Sequence, residues 1–509
     1  MEPATIERTA PVSEWDTPPQ LPPHDIPPHI ASFYHLNEAL VAGKFCNGTA
    51  CLVARHLNRT RWAKAEQQEP RIYCLGQCFA APAVAVEHAR PHMEVRARHG
   101  VVLGRLIHGP ARTLQSYTSS AGYQALEQAL DLSPEEIVQM IEESGLRGRG
   151  GAGFPTGRKW RALLMQSSSE KHVIANADEG DSGAYIDKYL LEDDPFAVLE
   201  GMTIAARATG ACKGWIYLRA EHPQARSILE TAIAEARAAN LLGERILGRD
   251  FTFDIQLVLG RGSYICGEET ALIRSMEGKR PEAQARPPMP TEHGLFGQPT
   301  VVNNIETLVN IPWIILHSAP AFHAFGLSQS RGTKVLSFNS LFHRPGLYEV
   351  EFGEPVKKIV NDVAGGLRAG SLKGLIIGGP LAGVIPPHLL GTPLGFEELR
   401  AIGASVGHGG VVAFDQHTSI AELIHHVFSF AAYESCGKCT PCRLGSRRVE
   451  QIFSEIVKNG AADYWDEVEF AEITAALRGA SLCGLGGGLA EFAESILRYY
   501  GKELESWFR

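Results

Sequence analysis

Apolar positions along the chain change period several times, and each change marks a different kind of element. SPEEIVQMIEESGL (133–146) carries apolar residues at helical spacing, and Ser133 with Glu136 fits a capping box, so a helix is expected there. From there to about residue 330 strand-like and helical runs alternate. HVIANAD, GWIYLRA and FDIQLVLG read as strands; FAVLEGMTIAARATG and HPQARSILETAIAEARAANL read as helices. That alternation predicts an α/β domain over 136–330. Short strands punctuated by Gly and Pro follow (KVLSFNS, GLYEVEFG, GLIIGGPLAG), predicting a β-rich insert over 331–415. Four helical patterns then close the chain: TSIAELIHHVFSFAAYE, CRLGSRRVEQIFSEIVKNG, VEFAEITAALRG and LAEFAESILRYYG. They predict a helical bundle over 416–509.

Upstream, residues 31–115 form a small segment ending in strand-like AVAVEH and MEVRARHGVVLGRLI. Residues 116–135 read as a linker, and the Pro-rich residues 1–30 as a flexible arm. No run of about 18 uninterrupted apolar residues predicts a membrane span. The start of the chain has neither the apolar core nor the basic flank of a signal peptide, so a cytoplasmic setting is expected. Net charge is −9, which argues against nucleic acid as a partner.

In a reducing compartment clustered cysteines read as metal or redox sites. Eight of the ten cysteines form two groups. Cys436, Cys439 and Cys442, at CxxCxxC spacing, with distant Cys483, suit a 4Fe–4S cluster, with structural zinc as the alternative. Cys46, Cys51, Cys74 and Cys78 suit 2Fe–2S, with zinc or free thiols as alternatives. Cys212 and Cys266 stand alone and read as buried, inert thiols.

GLRGRGGAGFPTGRKW (145–160) contains GxGxxG at Gly148, Gly150 and Gly153, with Gly151 between them. A helix precedes it, so the ordinary dinucleotide fingerprint, which follows a strand, does not apply; nor does GKS or GKT follow as in a P-loop. The glycines let backbone N–H groups approach a flat or anionic ligand, and Arg149, Arg158 and Lys159 offer charge for phosphate. A mobile surface loop fits the residues too.

The same motif, with NADEGDSG, GSYICGEETALIRSMEGKRP, PTVVNNIETL and ESCGKCTPCR in order, resembles the FMN- and NADH-binding (51 kDa-type) subunit of respiratory complex I. That family includes the diaphorase subunits of NAD-reducing hydrogenases and of NAD-dependent formate dehydrogenases. The resemblance covers roughly residues 135–509. It implies a Rossmann-like FMN/NAD domain, a β-grasp-like insert and a helical bundle carrying 4Fe–4S. FCNGTACLVA and IYCLGQCFAAP resemble the family's thioredoxin-like 2Fe–2S subunit, here fused, with a shorter interval between Cys51 and Cys74.

By resemblance, Gly148, Arg149, Gly150, Gly151, Gly153, Phe154 and Lys159, then Asn176, Asp178, Glu179 and Asp181, hold FMN and the nucleotide. Tyr264, Gly267, Glu268, Glu269, Val302, Asn303, Asn304 and Thr307 complete the set. Glu269 and Asp181 are expected to orient nucleotide, and no side chain is expected to act as acid or base. Acids opening a helix at Glu268 and Glu269, and asparagines at 303 and 304, also read as helix-terminal features. The expected function is the β subunit of an NAD-dependent formate dehydrogenase, favoured by the fused segment and by Asp181-Ser182, where complex I members have Glu-Pro. Its expected partners are a molybdenum- or tungsten-bearing iron–sulfur subunit and a small 2Fe–2S subunit. Alternatives are a hydrogenase diaphorase subunit, a complex I subunit, or a non-catalytic cluster-bearing nucleotide sensor.

Overall fold

The computed structural model describes Tyr34, residues 43–85 and residues 90–508; the arm expected over 1–30 lies outside these. A thioredoxin-like domain over 31–115 needs a central sheet of its own, and the described residues do not form one. They give short helices at Thr49–Val53 and Arg59–Gln67 and one strand, β1 (His92–Val95). β1 pairs in parallel with Gly346–Glu351, far along the chain. The rest of the predicted strand run is diverted. The amides of Val101, Val102 and Leu103 donate to the buried Glu349 carboxylate at 2.8, 3.0 and 2.8 Å instead of to a neighbouring strand.

The expected linker at 116–135 is also corrected. It folds as helices Leu114–Thr118 and Gln124–Asp131, the second burying Ala125, Leu126, Ala129 and Leu130 on one face. Buried Glu200 pins this pair by accepting from the Tyr117 hydroxyl and from the amides of Tyr123 (3.0 Å) and Leu126 (2.9 Å). Helix Pro134–Ser144 begins with the predicted Ser133–Glu136 capping box and ends at Gly145, whose φ of 70° suits the left-handed turn that stops a helix.

Strands β2 (His172–Ala177), β3 (Lys213–Leu218), β4 (Asp254–Leu259) and β5 (Thr300–Asn304) form a wholly parallel sheet ordered β4-β3-β2-β5. The order reverses between β2 and β5. In open α/β sheets ligands bind beyond the carboxyl ends of strands at such a reversal. Here those ends present Asn176 opposite Asn304.

The insert contributes β6 (Thr333–Phe338), β7 (Gly346–Glu351), β8 (Leu372–Ile377), β9 (Val384–Ile385) and β10 (Gly410–Asp415), in a mixed sheet ordered β1-β7-β6-β10-β8-β9. β6 and β7 form an antiparallel hairpin, and β10 returns to lie parallel to β6. Helices Ile420–Glu434, Ser446–Asn459, Tyr464–Ala480 and Gly484–Glu505 follow, one for each predicted pattern.

The insert is fixed to the parallel sheet's helices by a buried ion pair. Lys334 of β6 donates to Glu306, in helix Ile305–His317, with both side chains fully shielded from solvent. The second Glu306 oxygen accepts from the Val335 amide at 2.9 Å. Removing one partner of such a pair strands the other charge. Lys334→Met is therefore expected to lower stability by about 3–5 kcal/mol in denaturant titration, and a loss below 1 kcal/mol would show that the pair does not hold the insert.

Candidate functional site

The glycine loop spans the gap between helices Pro134–Ser144 and Thr156–Leu164. It is closed by the Gly148 amide on the Phe154 carbonyl (2.9 Å) and the Thr156 amide on the Leu146 carbonyl (2.9 Å). Gly151 (φ 122°) and Gly153 (φ 60°) take conformations that L side chains rarely adopt. A Cβ added at Gly148 or Gly151 would meet nothing nearer than 3.6 or 3.8 Å, ordinary contact distances, so a methyl would fit at both. A Cβ on Gly150 would sit 2.9 Å from Asn304 Cβ, which brings the loop down on the end of β5. The Arg149 amide donates to Thr307 Oγ1 at 2.8 Å, tying the loop to the following helix.

Arg149 is misread as a charge for phosphate. Its side chain is fully buried, donating to the carbonyls of Arg147 (3.1 Å) and Arg331 (2.7 Å) and lying over the Phe352 ring. Phe154, by contrast, is 50% exposed at the loop's edge. Lys159 is tethered to Glu269 Oε2 (2.7 Å) and to the Val302 carbonyl (3.0 Å). Burial opposes ionisation of Glu269, but Lys159 and then Arg286 outweigh it and hold the carboxyl below its ordinary value.

At the end of β2, Asn176 donates to the Gly267 carbonyl (2.9 Å) and accepts from the Asp178 amide (3.0 Å). The Asp178 side chain is 5% exposed with Oδ2 unpartnered; burial pushes its pKa well up, against the pull of Arg219 at 3.6 Å. Asp181 accepts from the Tyr264 hydroxyl at 2.7 Å.

Glu179, expected to touch ligand, is turned inward. It accepts from the amides of Ile186, Asp187 and Lys188 (2.6, 3.1 and 3.0 Å), serving the amino end of helix Ile186–Asp193. Glu268 caps helix Glu269–Met276 and pairs with Arg286. Asn304 caps helix Ile305–His317, and Asn303 accepts from the Trp160 indole at 2.9 Å.

A group absent from the sequence reading joins these. His408, preceding β10, lies 2.8 Å from Asp187, 3.5 Å from Glu179 and 3.8 Å from Asp181, and 3.3 Å from Asn304 Nδ2. Burial opposes its charge, but Asp187, Glu179 and Asp181 raise its pKa to about 10. A single histidine between glycines in VGHGGVV gives no sequence signal; only the return of β10 beside β6 brings it here.

Both cysteine quartets assemble. Cys46, Cys51, Cys74 and Cys78 are all buried, in two pairs, Cys46 with Cys51 and Cys74 with Cys78. The amides of Gly48, Gly76 and Ala83 point at Cys46, Cys74 and Cys51 sulfurs, each at 3.4 Å. Amides aimed at sulfur favour thiolate and tune the potential of a cluster held there. In the second quartet the Leu482 amide reaches Cys439 Sγ at 3.3 Å, and Ser435 Oγ lies 3.3 Å from Cys442 Sγ. Burial, then the neighbouring thiols Cys436 and Cys442, push Cys483 up to about 12.

Cys212 is half-buried and Cys266 buried, each outside the quartets.

The residues therefore fit a flavin nucleotide at the β2/β5 reversal: a glycine loop brought down on the strand ends, an unpartnered buried carboxylate oxygen at Asp178 and the side-chain amides of Asn176, Asn303 and Asn304. Sequence comparison agrees. Residues 141–313 match the Nuo51 FMN-binding domain, and residues 422–507 match the NADH-ubiquinone oxidoreductase-F iron–sulfur binding region. The NADP-reducing hydrogenase subunit HndC of Solidesulfovibrio fructosivorans is 40% identical over 77% of this chain and 80% of its own. The chain belongs to this family of FMN-binding, iron–sulfur NAD(P)H oxidoreductase subunits.

Another member, an NADH-quinone oxidoreductase subunit of Rhizobium meliloti (strain 1021), is 38% identical over 77% of this chain and 93% of its own. Among solved structures, the NAD+-reducing NiFe hydrogenase in its air-oxidised state superposes with a TM-score of 0.78 at 30% identity. It covers 94% of this chain and 88% of the other. The family brings FMN, NADH and a 4Fe–4S cluster. No helix among the described residues is long and apolar enough to cross a membrane.

Two outcomes follow from the geometry. Gly150→Ala forces a methyl against Asn304, so FMN retention should weaken by about tenfold or more, ~1.4 kcal/mol, read as flavin released on dilution; unchanged retention would remove the loop from the site. His408 titrates near 10 here against about 6.5 when unfolded. Its contribution is therefore complete below about pH 6.5 and is lost as pH rises toward 10. The stability advantage of the native chain over His408→Gln should shrink across that window in denaturant titrations, and a gap that widens with pH would refute the ion cluster.

Proposed function

We propose that this chain is the diaphorase subunit of an NAD-linked redox complex, exchanging hydride with NAD(H) at FMN and passing electrons singly through two clusters. The observation that carries this is the bracketing of one loop site by both thiol quartets. On one side Cys74 Sγ lies 3.7 Å from the Asp181 carbonyl and 3.8 Å from that of Ala184. On the other, Glu434, two residues before Cys436, accepts from the Tyr264 amide at 2.9 Å. Tyr264 in turn holds Asp181, so one short chain of contacts runs from quartet to quartet.

A bound FMN supplies the conversion between a two-electron hydride and single electrons, which clusters require. The protein's part is placement. The glycine loop, Asn176, Asp178 and Thr307 seat the flavin nucleotide, while Asp181 and Glu269, immobilised by Tyr264 and Lys159, orient the nicotinamide nucleotide. The first quartet takes 2Fe–2S, for which its two cysteine pairs are suited.

For the partner, we place a hydrogenase ahead of formate dehydrogenase. The formate reading rests on the fused segment and on Asp181-Ser182. Ser182 Oγ accepts from the Ala50 amide at 3.1 Å, and a Cβ on Gly48 would strike it at 2.4 Å. Ser182 thus seats the fused cysteine segment, and the motif accompanies that segment rather than any particular partner. The match to an NAD+-reducing hydrogenase over 94% of the chain favours the former. Formate dehydrogenase is the second reading, on the fused segment itself.

The anaerobically purified complex should reduce an artificial dye with NADH and carry nickel. Dye reduction with molybdenum or tungsten in place of nickel would select the formate reading. Absence of flavin and of turnover would leave a non-catalytic nucleotide sensor.

A further inference from the structure

The first quartet is closed on one side by residues of the α/β domain. Gly76 stands between Cys74 and Cys78, and a Cβ there would meet Lys188 Cδ at 2.8 Å and His222 Nε2 at 3.2 Å. His222 lies at the amino end of helix Pro223–Ala238, which follows β3. It is 1% exposed, and neither ring nitrogen has a hydrogen-bond partner. A buried imidazole with both nitrogens unsatisfied is costly in a folded protein and calls for a hydrogen-bond partner. Burial, and then Lys188 and Arg219, press its pKa well down, so the ring is neutral and carries one N–H. Lys188 and Arg219 are themselves buried and within electrostatic reach of Cys74.

This rests on the reading of the first quartet as an iron–sulfur site. We propose that His222 donates its ring N–H to a sulfur of the cluster held by Cys46, Cys51, Cys74 and Cys78, so that a residue of the α/β domain sets that cluster's potential. Four cysteines complete the ligand set, leaving histidine as donor rather than ligand. The donor joins the amides of Gly48, Gly76 and Ala83 already aimed at three of the thiols. Donors to sulfur favour the more negative, reduced cluster, and so do the buried cations beside it.

The test is a redox titration of the full complex followed by electron paramagnetic resonance, comparing the native chain, His222→Phe and His222→Asn. His222→Phe should lower the reduced-to-oxidised ratio of the N-terminal cluster about tenfold at fixed poise, a shift of about 59 mV for one electron. His222→Asn, which keeps an N–H, should recover much of it, and the C-terminal cluster should not move. If His222→Phe does not fold, pulsed resonance on native complex labelled with 15N-histidine gives a second reading. Coupling of the reduced cluster to a histidine nitrogen and to an exchangeable proton is expected. An unchanged potential, or no such coupling, overturns the proposal. A native complex that shows only the 4Fe–4S signal fails earlier, removing the N-terminal cluster and this inference together.

Discussion

A carboxylate taken out of water must find hydrogen-bond donors, and this fold meets that requirement with backbone amides. Glu179, Glu200, Glu306 and Glu349 are all buried. Each accepts main-chain N–H groups, three of them from segments distant in sequence. Hydrogen bonds to charged groups contribute about 1.5–3 kcal/mol each, so these four side chains act as joints. Glu200 binds the helical pair at 114–131. Glu306 fastens the insert. Glu349 gathers the loop after β1. Glu179 orders the helix that follows the acidic loop.

That last joint shapes the site. With Glu179 committed to the amides of Ile186, Asp187 and Lys188, its neighbours Asp178 and Asp181 are set on either side, toward Arg219 and Tyr264. Asp187 then meets Asn304 and His408, so β5, the acidic loop and the insert share one charge cluster beside the glycine loop. Glu179 and Asp187 are thereby committed to contacts within the protein, while Asp178 keeps one carboxylate oxygen unpartnered.

Much of this was legible beforehand. The strands and helices of 136–330, the four C-terminal helices, the glycine loop and both cysteine groups are written as local patterns, which short-range chemistry enforces. The errors fall where a local pattern has two physical outcomes. Arg149 sits among glycines like a phosphate ligand, yet the loop's turn sends it into the core. Residues 116–135 are rich in small and polar residues, yet Ala125, Leu126, Ala129 and Leu130 share one helical face. The strand run stops at Val95 because, further on, the Glu349 carboxylate captures the amides of Val101, Val102 and Leu103. His408, Asp187, Arg219 and His222 had no signal at all, since only tertiary topology brings them beside motifs that lie far from them in sequence.

The Glu349 joint also bears on biogenesis. Val101 reaches a carboxylate 248 residues further on, and β1 waits for the same strand. At synthesis rates of about 5–20 residues per second, that partner emerges on the order of tens of seconds later. Throughout that interval the amides of Val101 to Leu103 have no acceptor and β1 has no neighbour, so this stretch takes its final form only after the strand bearing Glu349 has been made.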